Sequence, residues 1–223
     1  MHYMLLLARL NPKNVRFDVG SGGVPELTST DVAGALGMVS PGLGRELMCR
    51  VGWQAGASVT ARQLDEMLMN AQLDEWLARE EALAQAMWSI ASHTGGQSLR
   101  RAQQQYQDAH ARRWPKWLQS VETGVHNPGY PRIRRAVLLE LADPKLCPDC
   151  GGRCYVPTLT GLKECERCQA RGCIEHGPTR RAQEMRMHEA TYRQTWADPY
   201  EWLMDLATTE LRRAAKHLER AAA

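Results

Sequence analysis

Apolar residues recur at helical spacing along most of this chain. Behind Thr60, residues Leu64, Met67, Leu68, Ala71, Trp76, Leu77, Leu83, Met87 and Trp88 predict one long amphipathic helix with a single apolar face. Thr60-Ala-Arg-Gln63 supplies its start, because the Thr hydroxyl and the Gln amide can each satisfy a backbone group left open by the first turn. Gly95-Gly96 predicts its end. A second helix is predicted through Leu99, Ala102, Tyr106 and Ala109 towards Trp114, where Pro115 interrupts it. Gly124 to Pro131 reads as a linker, and Pro131 suits the first turn of the next helix. Ile133, Val137, Leu138 and Leu141 are the buried stripe expected of that helix, while Arg132, Arg134 and Arg135 are expected to point elsewhere; Asp143-Pro144 ends it. Pro178-Thr-Arg-Arg181 opens another, expected to run through Ala182, Met185, Tyr192 and Trp196. Asp198-Pro199 is expected to cap a final helix carrying Leu203, Leu206, Leu211 and Leu218.

Residues 11–59 differ: Gly20-Ser-Gly-Gly23, Pro25, Pro41, Gly42 and Gly44 favour turns and short helices, one of them around Asp31–Met38 with Thr30 or Asp31 as cap. No stretch alternates with period two, so strands are expected only within residues 144–176. The expected fold class is mainly α. Three segments follow: a Gly/Pro-rich stretch at 1–59, a helical region at 60–128, and a helical region at 129–223 that carries a small insert at 144–176.

That insert holds the chain's most specific chemistry. Cys147-Pro-Asp-Cys150 and Cys165-Glu-Arg-Cys168 are separated by 14 residues, a C-x2-C…C-x2-C spacing that lets four thiolates converge on one tetrahedral Zn²⁺. A site closed by four sulfurs has no open position for a substrate, so a structural ion is expected. Each pair is followed by small residues, in Cys150-Gly-Gly-Arg-Cys154 and Cys168-Gln-Ala-Arg-Gly172, which reads as one knuckle repeated, with Cys154 and Ala170 departing from glycine. Cys154, Cys173 and His176 have the spacing of a second ligand set, or else serve as small fillers beside the first. Cys49 reads as a buried hydrophobe, and the spacing of the seven cysteines points to a metal in a reducing compartment.

The formal net charge of +3 says little, but its distribution says more. Residues 93–136 carry eight basic and two acidic side chains, whereas 60–92 carry two basic and six acidic. Such a local field fits a phosphate backbone. Arg180, Arg181, Gln183 and Arg186 form a polar face at a helix start; Arg pairs bidentately with guanine and Gln with adenine in the major groove. Arg132, Arg134 and Arg135 are expected on phosphate. The apolar Met1–Leu10 run is too short to span a membrane and lacks basic residues before its Leu run, which makes it a poor secretory signal, so an intracellular protein is expected. There is no GxGxxG, GxxxxGK[ST] or GxSxG, and Tyr192 stands where the second His of HExxH belongs after His188-Glu189. No catalysis is expected.

The chain resembles the lambda-type late-gene antitermination proteins, the Q family of lambdoid phages. The resemblance rests on Thr30-Asp-Val-Ala-Gly-Ala-Leu-Gly-Met38, Cys147-x-x-Cys150-x-Gly152, Lys163-Glu-Cys165-Glu-Arg-Cys168, and Gln194-Thr-Trp196 leading to Pro199-Tyr200. It implies a protein of the bacterial host's cytoplasm that binds double-stranded promoter DNA and joins paused RNA polymerase through the β flap and sigma factor. Polymerase so modified reads through terminators. The resemblance also implies one structural zinc on Cys147, Cys150, Cys165 and Cys168, and a helix-turn-helix-like DNA reader in 131–142 and 178–196, interrupted by the zinc insert. The competing expectation is a zinc-knuckle module that binds a protein and no nucleic acid; a metal-dependent nuclease ranks behind both.

Overall fold

Helices dominate the computed structural model, which describes residues 29–53, 56–93, 95–120, 125–143, 145–158, 161–170 and 172–221. The expectations placed on Met1–Leu10, Gly20–Gly23, Pro25, Gly124 and Pro144 lie outside the described residues. The chain divides into two compact units, Met1–Ala71 with Trp202–Ala223 and Gln72–Glu201, and so not at the segment boundaries expected from composition.

The first unit contains α1 (Ser29–Met38), α2 (Leu43–Gly52), the start of α3 (Ala61–Ser92) and most of α8 (Ala197–Ala221). Its core is aliphatic: Leu36, Leu47, Met48, Cys49, Leu64, Leu68, Leu203, Leu211 and Leu218 are all buried. Helix α1 starts two residues before Asp31. A Cβ on Gly44 would lie 2.3 Å from the backbone oxygen of Glu210, so α2 and α8 cross where neither side can give way. Glu46 is buried and accepts the amides of Ser58 (3.0 Å) and Val59 (3.2 Å), which fixes the approach to α3. There the capping box forms as expected: the Thr60 amide donates to Gln63 Oε1 (2.8 Å) and the Gln63 amide to Thr60 Oγ1 (3.2 Å). The single apolar face expected for α3 is only partly covered. Leu64, Leu68 and Leu83 are buried, but Leu77, Met87 and Trp88 are exposed, because periodicity says which residues share a face and not whether anything packs on it.

The second unit contains the rest of α3, α4 (Gly96–Ala111), α5 (Gly129–Ala142), α6 (Pro178–Glu184) and α7 (Glu189–Thr191). Strands were expected only in the cysteine-rich insert, yet β1 (Leu118–Ser120) pairs antiparallel with β2 (Val125–His126) outside it. Pairs this short leave no periodic signal in the sequence. Helix α5 begins at Gly129, before Pro131, where the Gly129 amide donates to Asn127 Oδ1 (3.1 Å); the glycine lies against the Trp196 ring, where a Cβ would sit 2.1 Å from a ring carbon. Tyr130 packs there between Trp117, tilted to it at a centroid distance of 4.5 Å, and Trp196, edge-to-face at 5.3 Å. The Tyr130 hydroxyl (2.6 Å) and Trp76 Nε1 (3.0 Å) both donate to the Pro115 carbonyl.

The helix expected from Pro178 through Trp196 is broken. Helix α6 stops at Glu184, and Arg186 turns the backbone with φ +53° before His188 caps α7. No cap forms at Asp198. Instead α7 runs through a π turn at Tyr192–Trp196 directly into α8. Pro199 has no N–H for the Thr195 carbonyl four residues back, and the ladder widens just ahead of it. Asp198 is engaged elsewhere, accepting from Arg79 (2.7 Å) and from the Trp114 indole. No helix among the described residues is long and apolar enough to cross a membrane.

Candidate metal centre and flanking helices

The insert is closed at its base by β3 (Lys145–Leu146) pairing antiparallel with β6 (Cys173–Ile174). Between them β4 (Tyr155–Thr158) and β5 (Gly161–Glu164) form a hairpin, with Tyr155 opposite Glu164 and Val156 opposite Lys163. Each knuckle turns through left-handed backbone at matching places: Gly152 and Cys154 have φ +86° and +70°, Ala170 and Gly172 +57° and +75°. The two halves then bond to each other reciprocally. The Cys147 amide donates to the Gly172 carbonyl (3.0 Å), and the Cys165 amide donates to the Cys154 carbonyl (2.9 Å). A Cβ on Gly172 would come within 2.7 Å of the Gly152 oxygen, so the close approach requires glycine.

This pseudo-symmetric turn brings Cys147, Cys150, Cys165 and Cys168 together, all buried, with sulfurs within 4.8 Å of one another. Cys147 Sγ lies 3.8 Å from Cys165 Sγ and Cys150 Sγ lies 3.7 Å from Cys168 Sγ. Bonds of about 2.3 Å to a tetrahedral ion give an edge of about 3.8 Å, so the four fit one metal ion. The Gly172 amide donates to Cys168 Sγ (3.3 Å), and Val156 and Ile174 pack over the cluster. Burial opposes ionisation of Cys150, but the amides of Cys154 and Gly152, with the Cys168 and Cys147 thiols, bring it down to about 7. At Cys165 the Cys168 amide acts the same way, yet burial and the three neighbouring sulfurs push the thiol up to about 11. Four thiolates so close need a cation to coexist.

The second expected ligand set does not assemble among the described residues. Cys154 is half-buried, with its thiol raised by burial and by the Cys150 and Cys168 sulfurs, and stands outside the cluster. The Cys173 side chain lies outside the described residues. His176 faces the helices: its Nδ1 is 3.9 Å from both Glu140 and Glu184.

Glu140 of α5 joins the insert to the helices on either side. Its carboxylate accepts from Arg181 Nε and Nη2 (both 2.9 Å), the His176 amide (2.9 Å) and the Tyr200 hydroxyl (2.8 Å). Burial works against its charge, but these donors, Arg181 foremost, hold its pKa below the ordinary value. Arg181 lies over the Tyr200 ring, 4.7 Å from its centre. Glu140 is not part of any motif in the sequence, and Tyr200 enters there only as the end of the Gln194–Tyr200 block. The available signal was the position of Glu140 three residues beyond Val137, on the apolar stripe of α5.

The expected DNA contacts separate into two classes. Arg181 is buried on Glu140, and Arg134 is buried with its Nη1 donating to Gln72 Oε1 (3.0 Å). Both are therefore corrected: their guanidinium groups organise the interior and do not present themselves to a phosphate or a base. Arg180 is half-exposed and paired with Asp143 (2.8 Å) and Glu184 (3.2 Å). Arg132, Arg135, Gln183 and Arg186 are exposed, with no side-chain hydrogen bond to a described residue.

The chain matches no known protein-family model, no characterised protein and no solved structure. What these residues can do therefore rests on their own chemistry. The sulfur set can hold an ion as a cross-link between β3, β6 and the two knuckles. The surfaces of α5, α6 and the turn after α6 carry exposed cations and an amide, at Arg132, Arg135, Gln183 and Arg186.

Proposed function

We propose that this protein is a zinc-containing DNA-binding factor that works in late-gene transcription antitermination and catalyses no reaction of its own. Zn²⁺ on Cys147, Cys150, Cys165 and Cys168 would cross-link the insert; its role there is shape. The observation that carries the reading is that this closed cluster sits between α5 and α6, so that one small module, once cross-linked by its ion, would determine how the two helices bearing exposed Arg132, Arg135 and Gln183, and the turn bearing Arg186, emerge from it. Helix α6, the turn at Met185–His188 and the helix from Glu189 then serve as a helix-turn-helix-like reader, the arrangement in which a turn of three or four residues joins the two helices. The likeness of the Thr30–Met38, cysteine and Gln194–Tyr200 blocks to the Q family supports the rest: promoter DNA and paused RNA polymerase, through its β flap and sigma factor, as partners in the bacterial host's cytoplasm.

The deciding experiment is transcription through a terminator placed downstream of the matching phage promoter, with and without the protein. Read-through should rise with protein and be lost when the metal is stripped. Unchanged termination at saturating protein defeats the antitermination reading. A second reading, a protein-binding zinc knuckle, draws on Leu146, Tyr155 and Leu162, which are 62%, 45% and 76% exposed on the insert. Failure to retain duplex DNA at low salt, together with capture by a protein partner at any salt, would favour it.

A further inference from the structure

We propose that base sequence is read from the second helix of the pair, by the outward side of its π turn, with Gln194 as the residue that contacts a base edge. This rests on the DNA-binding reading above and assigns a residue within it. Helix α6 is poorly placed for the role: it has seven residues, Arg181 is buried, and Arg180 is held by Asp143 and Glu184. In a helix-turn-helix DNA reader, the N-terminal part of the second helix is the segment that meets base edges in the major groove. Here that segment is Glu189–Trp196.

Its geometry is set from below. Tyr192 and Trp196 are both buried, and the wider π turn between them leaves Arg193, Gln194 and Thr195 facing solvent. Single π turns of this kind recur at functional sites. Glu189 would repel phosphate, but its carboxylate is occupied by Thr179 Oγ1 (2.7 Å) and Arg193 Nε (2.7 Å). Those bonds also pin the first turn of α6 to the second helix and hold Arg193 in place. Gln194 remains exposed, with no hydrogen bond to a described side chain. An unengaged carboxamide on such a face has the paired donor and acceptor that match adenine N7 and N6.

The test is selection of duplexes from a randomised library by the full-length, zinc-loaded chain, comparing wild type with Gln194→Ala and Gln194→Arg. Wild type should enrich a sequence containing an A·T pair at one position. Gln194→Ala should reduce discrimination there by roughly ten-fold, and Gln194→Arg should shift it towards G·C, with zinc content and helicity unchanged. An identical enriched sequence for all three proteins would overturn the inference, as would wild-type retention of duplexes without sequence preference. A wild type that retains no duplex would instead overturn the DNA-binding reading beneath it.

Discussion

At the scale of single residues, the knuckles and the Glu140 network make opposite demands. Residues 152, 154, 170 and 172 all adopt positive φ, but only two are glycine. Left-handed backbone costs an ordinary residue about 1–2 kcal/mol, so Ala170 strains the second knuckle. Ala170→Gly is expected to raise the stability of the metal-loaded protein by about 1 kcal/mol after the extra freedom of glycine in the unfolded chain is offset, readable as a higher melting temperature. Glu140 is a matter of charge. Its folded pKa lies below the ordinary 4.5, so the unfolded chain binds the proton more readily. The stability it contributes is present above that value and drains away as pH falls through the lower folded one. Glu140→Gln should flatten this acid limb and cost about 3 kcal/mol at neutral pH, because Arg181 is left buried with only the longer contact to the exposed Glu175 (3.4 Å) as counter-charge. Denaturant titrations of both proteins at neutral pH and below pH 4 would test it; parallel pH profiles would count against this account.

Among secondary-structure elements, the sequence was legible where local chemistry decides and opaque where a distant contact does. The Thr60–Gln63 box, the helix through Leu64 and Leu68, and the ligand set Cys147, Cys150, Cys165 and Cys168 were all readable, since each depends on spacing within a few residues or on a repeat. The break at Arg186 was not, because an arginine occupies the left-handed position where glycine would have announced a turn. Nor was the passage of the final helix through Pro199, which follows from a π turn and from the burial of Tyr192, Trp196 and Tyr200. Burial of Arg134 and Arg181 depends on Gln72 and Glu140, 62 and 41 residues away. The insert itself should behave as a cross-linked element. Its strands are two to four residues long and its β4–β5 hairpin is largely exposed, so an ion held by the four sulfurs would supply most of its stability. Cys147→Ser or Cys168→Ser should abolish stoichiometric zinc and speed amide exchange throughout residues 145–174, while α1 and α2 keep their protection. Full zinc content with unchanged exchange in either variant would remove the metal from the argument.

For the molecule as a whole, net charge is a poor guide to binding and the arrangement of uncommitted cations a better one. A formal +3 over 223 residues gives almost no long-range attraction to a polyanion. Many of the arginines are also neutralised within the fold, as Arg79 is by Glu75 and Asp198, Arg113 by Glu80, and Arg181 by Glu140. Arg132 and Arg135 remain on the exposed side of α5, three residues apart and so on one side of the helix. If they meet phosphates, each releases about one counterion, and the plot of log affinity against log salt should have a slope that reports them. Replacing both with Ala should weaken retention of every duplex alike, lower the magnitude of that slope by about two, and leave base preference intact. If the protein acts as proposed, read-through of a terminator should fall in step with DNA retention. A double variant that keeps the wild-type salt slope would show that phosphates are met by another face, and the α5 surface would lose its assigned part.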